Sequence, residues 1–98
     1  MERLVVGVDI SKESFSAAGL DGEGKECFSG FYSMDSDGFC KFLEIVNARC
    51  PDHQKVLVAM ESTGCYHINL FSFLTTQGIH ALVINPLLIA NFAKHSLR

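Results

Sequence analysis

LVVGVDI, residues 4–10, is the stretch on which the fold turns. Apolar side chains occupy both parities of a period-two pattern, which predicts a strand covered on both faces and central to its sheet. The run carries one charge, Asp9, near its end. Downstream, residues 14–20 set Phe15, Ala17 and Gly19 against Ser14, Ser16 and Ala18, and Asp21-Gly22-Glu23-Gly24 separates them from a third run at 25–32. Glycine and aspartate between two alternating runs predict a hairpin, so the chain opens with three consecutive antiparallel strands.

The period then changes. Phe39, Phe42, Leu43, Val46 and Cys50 recur at helical spacing, with Asp35 or Ser36 as the cap and Pro51 as the stop. KVLVAM at 55–60 reads as a short strand, and residues 64–77 as a second helix with Leu70, Phe71 and Leu74 on one face and Gly78 as its stop. HALVIN at 80–85 reads as a last strand, and Pro86 suits the first turn of a third helix over 87–95. The order β-β-β-α-β-α-β-α, with right-handed crossovers between parallel strands, predicts a ribonuclease H-like α/β fold. Its mixed five-stranded sheet would run in the order 3-2-1-4-5, with flanking helices.

Ninety-eight residues, 48% of them hydrophobic, suit one domain with a single core, spanning 1–98. The net charge of -3 is unevenly spread: all 11 carboxylates lie at or before Glu61, and only Lys94 and Arg98 are formally charged beyond it. A pI near 5.7 does not mark a uniformly basic nucleic-acid binder, so any DNA contact must be local. Cys27, Cys40, Cys50 and Cys65 form no CxxC pair and follow no secretory leader, which predicts free thiols in a reducing cytoplasm. Apolar stretches stop short of the roughly 18 to 20 residues of a membrane helix, so no membrane is expected.

If strands one and four are neighbours, about 4.8 Å apart, Asp9 and Glu61 converge at one end of the sheet, where open α/β sheets tend to bind ligands. Two adjacent carboxylates repel unless a cation lies between them. Mg2+ (or Mn2+) answers this, preferring one or two carboxylates plus waters and phosphate oxygens, and a pair of such ions can stabilise both oxygens of a phosphodiester exchange. An acid at a strand end is also a common turn former or structural hydrogen-bond acceptor. Ser62-Thr63-Gly64 follows Glu61 at a strand-to-helix junction, where it can approach a phosphate, cap the helix, or do both.

GVDISKESF at 7–15, MESTGCY at 60–66 and VINPLLIANFAK at 83–94 resemble, in order and spacing, the N-terminal domain of the DEDD transposases of the IS-one-ten insertion-sequence family, kin of the Piv DNA invertases. The resemblance covers essentially the whole chain. It implies a RuvC-like nuclease fold in which four acids bind divalent metal and cut or rejoin DNA, the first two being Asp9 and Glu61 as catalytic metal ligands. In the family the last two acids follow a basic segment like residues 94–98, and no acid follows Glu61 here. The chain thus reads as a domain truncated before its last helix, expected to be inactive alone. The resemblance further implies DNA as partner, a guiding non-coding RNA for some full-length members, and a synapse of several protomers; an exposed apolar edge would favour a homo-oligomer.

Lys12, three residues after Asp9, matches the family's D-x-S-K pattern and could reach a phosphate or balance the acids, although solvated surface lysines are common. Tyr66 could stack on a base or, at helical spacing from Leu70, belong to the core. With Ser62 and Thr63 these make up the expected nucleic-acid contacts. Cys50-x-x-His53 and Cys65-x-His67 suggest zinc, but their helical settings do not suit a zinc knuckle. Two other functions compete. A Mg-nucleotide module of the actin or sugar-kinase type would want glycine and threonine after Asp9, where Ser11-Lys12-Glu13 stand. A non-catalytic assembly domain would use the sheet only as a scaffold.

Overall fold

The computed structural model describes residues 3–61 and 64–84. The elements follow as β1 (Leu4–Ile10), β2 (Ser14–Leu20), β3 (Glu26–Ser33), α1 (Ser36–Arg49), β4 (Val56–Glu61), α2 (Ile68–Thr76) and β5 (His80–Ile84), with one 3-10 turn at His53–Lys55 before β4. The sheet order is β3-β2-β1-β4-β5, the ribonuclease H-like order predicted. β1 pairs antiparallel with β2 and parallel with β4, β2 antiparallel with β3, and β4 parallel with β5.

The hairpin forms because Asp21 organises it. Its Oδ1 accepts from the N–H groups of Glu23 (2.9 Å) and Lys25 (3.0 Å), and its own N–H donates to Lys25 O at 2.9 Å. Asp35 caps α1 by accepting from Gly38 N–H at 2.9 Å, while the Ser33 hydroxyl donates to the same oxygen at 2.6 Å. The Ser33 hydroxyl and then the Gly38 N–H hold the Asp35 carboxyl below its ordinary range. Gly78, at φ 80°, ends α2 in the left-handed conformation that glycine adopts without steric cost.

One face of the sheet carries the core. Leu4, Val6, Val8 and Ile10 of β1, Phe15 and Ala17 of β2, Val56, Val58 and Met60 of β4, and Ala81 of β5 pack against Phe39, Phe42 and Val46 of α1 and Leu70 and Leu74 of α2. Phe42 is the aromatic hub, with its ring edge-on to Phe15 (5.4 Å), Tyr32 (5.5 Å) and Phe28 (6.5 Å). His53 ties the helices at their C-terminal ends: Nδ1 lies 2.7 Å from Gln77 O and Nε2 2.6 Å from Asn47 Oδ1.

Two expectations are corrected. β1 is buried on one face only, in strict alternation, and Val5 on the other face is 40% exposed. Both described helices lie on a single side, so the second apolar parity meets no cover among the described residues. α2 begins at Ile68, four residues later than expected; the N-cap position is His67, which makes no side-chain cap bond. The third helix expected over 87–95 lies outside the described residues.

Candidate metal and nucleic-acid site

Period-two alternation that sends Val6, Val8 and Ile10 into the core sends Asp9 to the opposite, open face. The same parity in β4 buries Val58 and Met60 and turns Glu61 outward. In the parallel ladder Asp9 and Glu61 are register partners, the last pair of that ladder. Neighbouring strands lie about 4.8 Å apart, so two carboxylates rise from adjacent backbone positions at the C-terminal ends of the two central parallel strands. Glu61 is the final residue of β4, one position deeper in the sheet than expected.

The pair stands at one end of a concavity of about 780 Å³ on the open face. Its floor is small: Gly7, Ala18 and Ala59, with Ser16, Ser29 and Gly30 toward the β3 edge. Phe31, 83% exposed, and Ile84 flank it. Phe31 escaped the sequence reading, although its parity with Ser29 in an alternating strand was a usable signal. Among the described residues of this lining, oxygen is the charged donor type, and no cysteine or histidine is present.

Lys12 occupies an exposed three-residue turn between β1 and β2, closed by Ser11, whose N–H and Oγ both donate to Ser14 O at 2.9 and 2.8 Å. No ion pair joins Lys12 to either acid among the described residues; the ion pair found there is Lys55–Asp52, at 3.9 Å. Tyr66 is 45% exposed in the turn before α2 and so is not the core aromatic that its spacing allowed. Ser62 and Thr63 lie outside the described residues.

The side chains of the Cys50–His53 zinc pairing are engaged elsewhere. Both ring nitrogens of His53 are engaged by Asn47 and Gln77, and the Cys50 thiol donates to Asp52 O at 3.6 Å. Among the described residues no group of three or more His, Cys, Asp or Glu side chains comes together, and all four cysteines are free thiols. No helix of the described residues is long and apolar enough to cross a membrane.

No curated protein matches the chain. Among solved structures, Pelota from Archaeoglobus fulgidus is similar over 84% of this chain and 26% of its own, at 19% identity and a TM-score of 0.52, a likeness of fold alone. A Ppx/GppA family member from Aquifex aeolicus is similar over 88% of this chain and 36% of its own, at 14% identity and a TM-score of 0.45. An exopolyphosphatase from Cytophaga hutchinsonii is similar over 85% of this chain and 34% of its own, at 11% identity and a TM-score of 0.46. The chain thus spans little more than a third of the Ppx/GppA family member and about a quarter of the Pelota chain. A family model of DEDD IS110 type, described as Transposase, matches residues 6–98, a span that takes in most of β1, all of β2 through β5 and both acids. The chain therefore belongs to the DEDD transposase family of the IS110 (IS-one-ten) insertion sequences.

Proposed function

We propose that the chain is an N-terminal part of a transposase catalytic domain in which Asp9 and Glu61 hold a divalent cation, Mg2+ or Mn2+, for DNA strand cleavage and transfer by the full-length protein. The observation that carries this reading is the direct pairing of Asp9 with Glu61, in parallel register, on the open face. The donor set fits the ion: two carboxylates form a hard oxygen pair that leaves room for the waters and phosphate oxygens such cations retain. A cation bound there would supply Lewis-acid stabilisation of charge developing on phosphate oxygens.

The chain's own part is positioning. Asp9 lies on a strand hydrogen-bonded on both sides, by β2 and β4, and Glu61 on one flanked by β1 and β5. Their backbones are thus fixed without any loop rearrangement, and the low floor of Gly7 and Ala59 leaves space for a sugar-phosphate chain beside them. Lys12 and Tyr66, in exposed turns after β1 and before α2, are assigned DNA contacts: a cation for a phosphate and a ring face for a base. The nucleotide-binding alternative is less well supported, because Lys12 and Glu13 fill the turn where a phosphate-wrapping loop would want glycine.

Titration of Mg2+ or Mn2+ into the chain, followed by backbone amide NMR, tests the reading. Shifts confined to the C-terminal ends of β1 and β4, and lost in both Asp9→Asn and Glu61→Gln, are expected. An identical response in wild type and variants, or none, overturns the metal site.

A further inference from the structure

The two acids differ in what stands beside them. On the face opposite the helices, register partners run across the sheet in one row: Phe31 of β3, Ser16 of β2, Asp9 of β1, Glu61 of β4 and Ile84 of β5. Phe15 and Ala17 point into the core, so Ser16 between them shares the face of Asp9. Asp9 thus stands between a carboxylate and a hydroxyl, and Glu61 between a carboxylate and an aliphatic side chain. Register and parity set these neighbourhoods, whatever lies over the face.

A hydroxyl beside a carboxylate donates, and an ionised carboxylate only accepts. Such a bond is short and roughly twice as strong as one between neutral groups. Directly opposed residues of antiparallel strands have Cβ atoms about 4.5 to 5.5 Å apart, which puts the Ser16 hydroxyl within reach of the Asp9 carboxylate. No other described strand residue bordering Asp9 on this face competes. Gly7, Ala18 and Ala59, along β1 and on the diagonals, carry no side-chain donor, and Ser14, the other diagonal hydroxyl, has its Oγ 3.2 Å from Ser11 Oγ in the turn. Neither Ser16 Oγ nor the Asp9 carboxylate is committed to a hydrogen bond among the described residues.

We propose that Ser16 is a positioning residue for the acidic pair: with a cation held, its hydroxyl donates to one oxygen of Asp9 and turns the other toward Glu61. The last torsion of an aspartate is broad, and a partner on the second oxygen both fixes the carboxylate plane and strengthens it as a ligand. Glu61, with Ile84 on its far side and one more torsion of its own, has no such partner in the row. Asp9 is then the fixed ligand and Glu61 the adjustable one. This role rests on Asp9 and Glu61 being the cation's ligands, as proposed.

The test is the dissociation constant for Mg2+, read from backbone amide NMR shifts at the ends of β1 and β4, in wild type, Ser16→Ala, Ser16→Thr and Ser29→Ala. Ser29 stands opposite Ala18 on the same face, two strands from Asp9, and its loss should leave the constant unchanged. Ser16→Ala should weaken binding roughly tenfold, the lower end for partners of ligating groups because Ser16 is only half-buried, with the same urea midpoint as wild type. Ser16→Thr, which keeps the hydroxyl, should restore the affinity. An unchanged constant in Ser16→Ala, a Ser16→Thr variant no tighter than Ser16→Ala, an equal loss in Ser29→Ala, or a lowered urea midpoint in Ser16→Ala overturns the positioning role and leaves the cation site standing. A wild type without any cation response removes the proposed function and this role with it.

Discussion

Gly38→Ala should be among the most damaging single-methyl additions available in this fold. A Cβ built on Gly38 would lie 1.8 Å from Ser33 O and 2.7 Å from Ser33 C and N, all backbone atoms. The two segments must separate by more than an ångström before the contact becomes tolerable. Ser33 cannot yield cheaply, because it is the last residue of β3, paired with Ser14, and the next residue's N–H donates to Glu13 O at 2.9 Å. Displacement therefore falls on α1, whose Phe39 and Phe42 are packed against Phe15 and whose first turn is held by Asp35. Overpacking costs about 1 to 3 kcal/mol, and backbone on both sides of the clash places this case at about 3 kcal/mol. For a domain of this size that is a fall in Tm of about 12 to 24 °C, or about 1.5 to 3 M in the urea midpoint at an m value of about 1 to 2 kcal/mol/M. Gly7→Ala is the internal control, since nothing lies within 4 Å of its Cβ position; alanine in place of a strand glycine should stabilise by about 0.5 to 1 kcal/mol. Urea unfolding followed by far-UV circular dichroism measures both. A Gly38→Ala variant within about 0.5 kcal/mol of wild type, or two glycines responding alike, refutes the packing argument.

His53→Ala removes two short hydrogen bonds that join α1, the 3-10 turn and the end of α2. At about 0.5 to 1.5 kcal/mol each, and with water able to replace them in part, a loss of about 1 to 2 kcal/mol in urea unfolding is expected; Asn47→Ala should lose about half of that, and no loss in either would show the clasp to be inert. Asp35 has its folded pKa below the ordinary 3.8 because Ser33 and Gly38 donate to its carboxylate. Its stabilisation is therefore complete above the unfolded-state value and fades as pH falls through the lower folded one. Asp35→Asn keeps an acceptor for both donors and does not titrate, so stability measured from pH 6 down to about pH 2 should lose part of its acid-side slope; an unaltered slope contradicts the assignment.

Strands were the legible part of this sequence. β1 and β2 are found at the residues expected, and β3, β4 and β5 within a residue of them where the chain is described, because period-two alternation and the Asp21 hairpin act over a few residues. Burial of β1 was not legible in the same way. Alternation states which parity is apolar and is silent on what covers it, and both described helices pack on one side. The start of α2 failed for the reason that helix starts often fail: Ser62, Thr63 and Gly64 looked like a cap, yet His67 holds the N-cap position, and its Nδ1 is buried without a hydrogen-bond partner. Asp9 and Glu61 were readable as a pair once strand order was inferred.

What places the two acids on one face is the register of the β1–β4 ladder, and what fixes that register is the core. Leu4 pairs with Val56, Val6 with Val58 and Val8 with Met60, and all six are buried beneath the helices. A slip of one residue between these strands would carry the apolar set of one of them into water and swing its carboxylate toward the helices. The cost is three large side chains removed from a packed interior, each worth about 1.5 to 3 kcal/mol of burial when fully inside, against a total stability of about 5 to 15 kcal/mol for a domain. The three apolar residues of one strand therefore hold the register against repulsion between Asp9 and Glu61. The fold can keep two like charges side by side because the opposing face of the same strands fixes where they stand, and the proposed cation would meet a geometry already built.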